Sequence, residues 1–379
     1  MLFFYQILVL FSLLVFLGIL LRNLIDLPAM PWRSIHAQPL VSVLVPARNE
    51  AENIERCVRS LLRQDYGAFE ILVLDDGSTD ATPEILRALA SESVPRIRII
   101  QGEQLPDGWH GKAWACFQLG RQARGELILF TDADTMHEPD ALRRSVGAML
   151  ASGADMLSLT PGQELRSFWE KLVIPMVYVI LMSYLPIRLV RTTRMAAFCF
   201  AIGQFILFRR EFYDRIEGHA AVKDAIVEDV SLCKAVKKAG GRVVAFNGTD
   251  VVSCRMYRNL RDIWNGFSKN LFAGLGYSSP GFFLFILLST AFYIAPYGFL
   301  CSSMFSGTFS LPLFWLPLSQ ISVALLSRLI IAKVFRQPLL FALLNLFSQI
   351  MLIAIAFNSF FIIKFGKGAI WKGRRYNFS

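Results

Sequence analysis

The chain has 379 residues, 54% of them hydrophobic, and a mean hydropathy of +0.46, which excludes an ordinary soluble protein. Its net charge of +10 comes from 39 Lys+Arg against 29 Asp+Glu. The basic residues flank apolar stretches (Arg22 and Arg33; Arg188, Arg191 and Arg194; 255–269; 364–375), which fits anionic headgroups, and no nucleic-acid motif accompanies them.

Residues 2–21 form an uncharged run of twenty, long enough to cross a bilayer. No basic stretch precedes it and no A-x-A site precedes Arg22, so the run reads as an anchor (1–24) and not as a cleaved signal peptide. A Pro-containing linker opens a charged domain over 34–277. Strands are expected at 41–45 (ending at Pro46), 69–74, 96–100 and 126–130, and helices at 50–63, 80–89, 112–124 and 139–151. Ser78 or Thr79 would cap the second of these helices. Strands alternating with helices imply an α/β fold with a mostly parallel, covered sheet. Residues 172–190, broken by Pro175 and Pro186, read as a helix lying in the membrane interface. The α/β pattern resumes with an apolar strand at 195–208 and a helix at 230–239. Three further apolar runs (281–304, 311–332, 339–363) form a C-terminal transmembrane region over 278–365, followed by a basic tail, 366–379. The six cysteines show no C-x-x-C pairing and read as reduced core residues.

Three acidic clusters carry the chemistry. Asp75-Asp76 and Asp132-Ala133-Asp134 close strand-like runs, and Glu228-Asp229 opens a helix. Carboxylates at strand ends of an α/β sheet sit where ligands bind. A D-x-D pair suits a hard divalent cation that holds phosphates, Mg²⁺ or Mn²⁺. Together the clusters read as a metal-dependent enzyme acting on a nucleotide-sugar. Asp76, with Asp75, would accept hydrogen bonds from a uracil N–H or a ribose hydroxyl; an Asx-turn or a helix cap is the alternative. Asp134 is the first choice of metal ligand, with Asp132 on ribose or metal, and His137 either completes the shell or is structural. Lys112, in Gly108-Trp-His-Gly-Lys112 before a helix, would meet a phosphate.

The stretches Val41-Ser-Val-Leu-Val-Pro-Ala-Arg-Asn-Glu50, Leu72-Val-Leu-Asp-Asp-Gly-Ser-Thr-Asp80 and Thr131-Asp-Ala-Asp134 resemble the N-terminal half of family 2 glycosyltransferases, and Glu228-Asp229 resembles that family's catalytic pair. The resemblance implies a GT-A fold with terminal transmembrane helices. It places Pro46, Arg48 and Glu50 at the nucleotide, makes Asp229 the general base of an inverting transfer, and puts Glu228 beside it. The membrane arrangement is similar to members that glycosylate lipids, such as ceramide-, hopanoid-associated and carotenoid-glycosylating enzymes. The implied partners are a nucleotide-sugar donor, UDP-linked, and a membrane-lipid hydroxyl; oligomeric state is not encoded.

Polysaccharide synthases of the family carry Q-x-x-R-W after the acidic pair. Here 255–269 keeps Trp264 and basic residues but lacks that motif, which speaks against processive synthesis. Trp264 would stack on sugar or acceptor, and Arg261 or Lys269 would hold pyrophosphate; a basic, headgroup-facing amphipathic helix is the alternative. A polysaccharide synthase, a polyprenyl-phosphate sugar transferase and a non-catalytic membrane scaffold are the competing readings. Basic residues after the first span place the domain in the cytosol. Three full C-terminal crossings would then strand the basic tail outside, so a cytosolic tail is expected, with one C-terminal segment re-entrant or interfacial.

Overall fold

A computed structural model describes residues 1–33, 37–92, 96–366, 369–372 and 374–376. The expected domain start at Ser34, Lys367 and the tail end 377–379 lie outside the described residues. The chain divides into two compact units: Leu27–Glu164 with Ile187–Met256, and Met1–Asp26 with Leu165–Pro186 and Tyr257–Ser379.

The first is an α/β unit. Its seven-stranded sheet has the order β3-β2-β1-β4-β8-β6-β9: β1 Val41–Ala47, β2 Phe69–Asp75, β3 Ile97–Gln101, β4 Leu127–Phe130, β6 Met156–Thr160, β8 Ile206–Arg209 and β9 Val243–Asn247. β8 is antiparallel to both its neighbours, and the remaining pairs are parallel. Val41, Val43 and Val45 alternate with equally buried Ser42 and Leu44, as expected of a central strand covered on both faces. Helix α2 (Ile54–Leu62) buries Ile54, Cys57, Val58 and Leu61, a single stripe at helical spacing. The register pairs Ala47 with Asp75, and Asp75 with Gln101, so the carboxyl ends of β1, β2 and β3 are level. A small sheet of β5 (Thr135–His137), β10 (Val252–Cys254) and β7 (Gly162–Gln163) lies beyond the end of β4.

Two expected boundaries move for identifiable reasons. Residues 50–53 are a turn and not helix, because Glu50 N–H donates to Thr82 Oγ1 (2.8 Å) and Ala51 N–H to Asp80 Oδ2 (3.1 Å). Helix α3 (Thr82–Glu92) starts two residues late, since Asp80 accepts from the Thr82 N–H and hydroxyl. The expected strand 195–208 survives only as β8. Upstream, Ile202 N–H donates to Ser158 Oγ (2.9 Å) and Gly203 N–H to Asp229 Oδ2 (3.0 Å), so the backbone bonds side chains instead of a ladder. Strand β6 was not expected.

The second unit is helical: α1 (Leu2–Asp26), α6 (Phe168–Val173), α7 (Met176–Tyr184), α11 (Leu260–Gly274), α12 (Ser279–Tyr293), α13 (Ala295–Ser306), α14 (Leu316–Val334), α15 (Leu339–Ala342) and α16 (Asn345–Lys364). Among the described residues, four stretches are long and apolar enough to cross a membrane: 2–26, 279–306, 311–334 and 345–364. Residues 172–190 fall into short helices, each far below the length of a span, and Leu172, Val173, Met176, Tyr178 and Met182 are buried. The tail contributes a hairpin of Ala369–Trp371 and Arg374–Tyr376.

Candidate active site

The site forms where the parallel strands end, in the α/β unit. Beyond β1, Asn49 takes a left-handed conformation (φ 52°), and its Oδ1 accepts the Thr79 N–H at 2.8 Å. This ties the turn after β1 to the turn after β2. Asp75 and Asp76 are both buried; Asp75 Oδ1 accepts the Ser78 N–H (3.0 Å), an Asx-type turn, and the Asp76 N–H reaches Ala47 O (2.8 Å). The Arg48 guanidinium donates to the carbonyls of Asp76 and of Gly77 (3.1 Å to the latter). Glu50 Oε2 accepts from Asn53 (3.0 Å).

The chain leaves β4 through Thr131 and Asp132. Thr131 Oγ1 donates to Gln204 O (2.8 Å) and sits within 3.0–3.1 Å of Thr135 Oγ1 and His137 Nε2. His137 is buried on β5, and burial pushes its pKa down to about 3, so its ring is a neutral brace under the Asp132–Asp134 turn.

Helix α4 (Gly111–Gln122) presents Lys112 from its first turn, and α10 (Glu228–Lys238) presents Glu228 and Asp229 from its own. Lys112 Nζ lies 2.7 Å from Asp132 Oδ1 and 2.9 Å from Glu228 Oε1. Burial alone would depress Lys112, yet the two carboxylates outweigh it and hold the ammonium well above its ordinary value. Asp229 is fixed by two backbone donors, Gly203 N–H on Oδ2 (3.0 Å) and Val230 N–H on Oδ1 (2.7 Å). Burial, then the neighbouring Glu228, raises its pKa to about 6 against the opposing pull of Lys112. Gly203 keeps this wall open: a Cβ would stand 3.0 Å from Lys112 Nζ, 3.6 Å from Asp229 Oδ2 and 3.7 Å from Glu228 Oε1, so the ammonium would have to give slightly.

These groups line one small cavity, with Pro46, Cys116 and His219 also in its wall. His219, from a 3₁₀ turn at Gly218–Val222, bonds Tyr213 through Nδ1 (2.9 Å), and burial lowers its pKa to about 3. No sequence signal marked it. Burial pushes the Cys116 thiol up, so it is no nucleophile. Among the described cysteines all are free, five of them buried. Pro46, Lys112, Asp132, Glu228 and Asp229 thus meet at one cavity, while Arg48, Glu50, Asp75 and Asp76 stand at the ends of β1 and β2. Trp264 and Lys269 lie on α11, in the helical unit.

Among the described residues no group of three or more His, Cys, Asp or Glu gathers as a closed metal site. Asp132 and Asp134, on one turn, are an oxygen donor set of the kind that takes Mg²⁺ or Mn²⁺ when phosphates complete the shell. The residues fit such a cation.

Comparison with known proteins adds three findings. The profile of Glycosyl transferase family 2 matches residues 42–217. The chain is 25% identical over 343 residues to a 4,4'-diaponeurosporenoate glycosyltransferase of Staphylococcus haemolyticus, covering 89% of this chain and 88% of that one. The counterpart from Staphylococcus aureus is 27% identical over 253 residues, 65% of each chain. Among solved structures, the mannosyltransferase PcManGT from Pyrobaculum calidifontis, in complex with GDP-Man and Mn²⁺, superposes with a TM-score of 0.54 at 19% identity, over 94% of this chain and 98% of that one. The α/β unit therefore has a GT-A-like fold with a mixed, mostly parallel sheet.

Proposed function

We propose that the chain is a family 2 glycosyltransferase, as the profile match and the similarity to the 4,4'-diaponeurosporenoate glycosyltransferases support, and that it moves a single sugar, with inversion, from a UDP-sugar to a hydroxyl of a membrane lipid. The observation that carries the reading is the setting of Asp229. Its carboxylate is held by two backbone N–H groups at the cavity wall, with a pKa of about 6, deprotonated at neutral pH yet basic enough to take a proton. A hydroxyl needs such a base as it attacks the anomeric carbon; the proton passes to Asp229 and the bond from sugar to diphosphate breaks. Lys112 stands within the same cavity as the fixed cation for a phosphate oxygen, and Glu228 orients its ammonium. Asp76 and its neighbours at the ends of β1 and β2 would receive the nucleoside. Asp134 and Asp132 would hold Mg²⁺ or Mn²⁺, which supplies charge neutralisation to the departing nucleoside diphosphate.

The long apolar helices support a lipid acceptor, as does the lipid-soluble substrate in the relatives' names. The test is to incubate membranes containing the protein with radiolabelled nucleotide-sugars and extract the lipids. One labelled glycolipid, absent with Asp229→Asn, is expected. A polymer or a phosphate-linked product would overturn the acceptor reading.

A further inference from the structure

Arg328, on α14, is only 2% exposed, although it lies within an apolar helix. Its Nη1 donates to Gln337 Oε1 at 2.8 Å. Nε and Nη2, which share one edge of the guanidinium, have no hydrogen-bond partner. The helical unit offers no carboxylate to fill that edge. Its acidic residues are Asp26, Glu170 and Asp262. Asp26 pairs with Arg22 (2.9 Å), Glu170 closes the capping box with Ser167, and Asp262 is bonded by Asn259 (2.9 Å) at the start of α11. An uncompensated guanidinium among apolar helices is costly, and such residues ordinarily find a partner or mark a ligand.

Beside Arg328 is a small cavity walled by Leu13, Phe16, Ser183, Ser327 and Asn345. Asn345 is the first residue of α16, a helix of 20 residues, so the positive end of that helix abuts the same space. The walls supply hydroxyl and amide groups and no negative charge. The free space admits one particle of about the size of a water molecule, so an anion must be small and no lipid headgroup fits.

We propose that this cavity is a binding site for a small monovalent anion, chloride or a formate-sized carboxylate, held by the Nε/Nη2 edge of Arg328 and the first turn of α16. The edge presents two parallel N–H donors, the geometry that grips a carboxylate with both oxygens or a halide between both hydrogens. Binding would anchor α14 to the start of α16 and stabilise the folded helical unit by mass action.

The test uses the full chain, purified in detergent and exchanged into sodium gluconate, whose anion is too large to enter. Chloride or formate is then titrated at constant ionic strength while the melting temperature is followed. The wild type should gain several degrees, saturably; Arg328→Met should show no gain. Asn345→Asp, which puts a carboxylate into the cavity, should be stabilised in gluconate and indifferent to chloride. A gain with formate but not chloride assigns a carboxylate, and a gain with both assigns a general anion site. A wild type indifferent to both, or an equal gain in Arg328→Met, overturns the proposal. Should Arg328→Met fail to fold, crystals of the wild type soaked in bromide decide the matter: an anomalous peak beside Arg328 is expected, and its absence refutes the site.

Discussion

Lys112 tempers the raised pKa of Asp229 across one small cavity, while Asp132 and Glu228 hold the ammonium charged. Replacing Asp229 by Asn removes the proton acceptor while keeping the size and one of the two backbone contacts, since the amide nitrogen cannot accept an N–H, so turnover should fall on the order of 10² to 10⁴-fold with nucleotide affinity nearly unchanged. Single-turnover kinetics and nucleotide binding measured on the same preparation check this; turnover within a few-fold of wild type would reassign the base. The pH profile follows from the raised pKa. Below about pH 6 Asp229 is protonated and unable to accept the acceptor's proton, so kcat/KM should rise with pH through a limb near 6. Lys112 opposes that rise in pKa, so Lys112→Met should move the limb to higher pH as well as weaken donor binding. A limb that stays in place would separate Lys112 from Asp229. Excess EDTA should stop transfer and Mn²⁺ or Mg²⁺ restore it, because the fixed positive charge of Lys112 is already shared between Asp132 and Glu228. Full activity in EDTA would leave Asp132 and Asp134 a structural or ribose-binding role.

At the scale of elements, the strands that build the site were legible and the segment that completes it was not. β1, β2 and β4 are short apolar runs ending in turn residues, and period and composition suffice to place them. Residues 195–205 are also apolar and read as strand, yet the chain bends there so that Gly203 N–H meets Asp229. That bond joins residues distant in sequence, and no local pattern encodes it. The same holds for the ion pairs that bring Lys112, Asp132 and Glu228 together. The acidic clusters announced the chemistry; their mutual geometry depends on the tertiary fold. Arg48, expected at the nucleotide, donates to the carbonyls of Asp76 and Gly77 in the turn after β2, a contact that no local pattern encodes. Gly203→Ala tests the bend directly. Its methyl would crowd Lys112 Nζ at 3.0 Å, so the ammonium must shift. The flexible lysine has to give by only a few tenths of an ångström, so a loss in kcat/KM well below the ~10²-fold of a 1 Å misplacement is expected, with the melting temperature little changed. Unaltered kinetics would show that Lys112 need not sit where the structure has it.

At the scale of the chain, contacts within the helical unit bear on the topology expected of its four apolar stretches and its basic tail. α1 and α14 run in the same direction: Gln320 donates to Gln6 at 2.8 Å near the start of each, and Phe335, just past α14, packs on Tyr178 of α7. Asn23, near the end of α1, donates to the carbonyls of Met182 and Leu185, so that end of the unit is where the chain passes into the α/β unit. α12 and α13 run the other way, from Phe282 against Phe272 of α11 to Phe292 against Phe16 and Phe299 against Tyr5. α16 breaks the alternation. Near its start Ser348 donates to Leu172 O, close to the junction at Leu165, and near its end Ser359 accepts from Phe272 and Asn358 donates to Ser268, both on α11. α11 itself opens just after the junction at Met256. Both ends of α16 therefore sit against segments that adjoin the α/β unit in sequence. We expect three crossings, by α1, by α12 with α13 and by α14, with α16 re-entrant or interfacial, an arrangement that would leave the tail in the cytosol. Basic Lys333, Arg336, Lys364, Lys372, Arg374 and Arg375 would then all fall on one side, the inner one by the bias of basic residues toward the cytosol. In a variant lacking the native thiols, a cysteine at Phe309, between α13 and α14, should react with an impermeant maleimide added outside intact cells. A cysteine at Ser379 should react only after permeabilisation. Labelling of the tail position from outside would require α16 to cross.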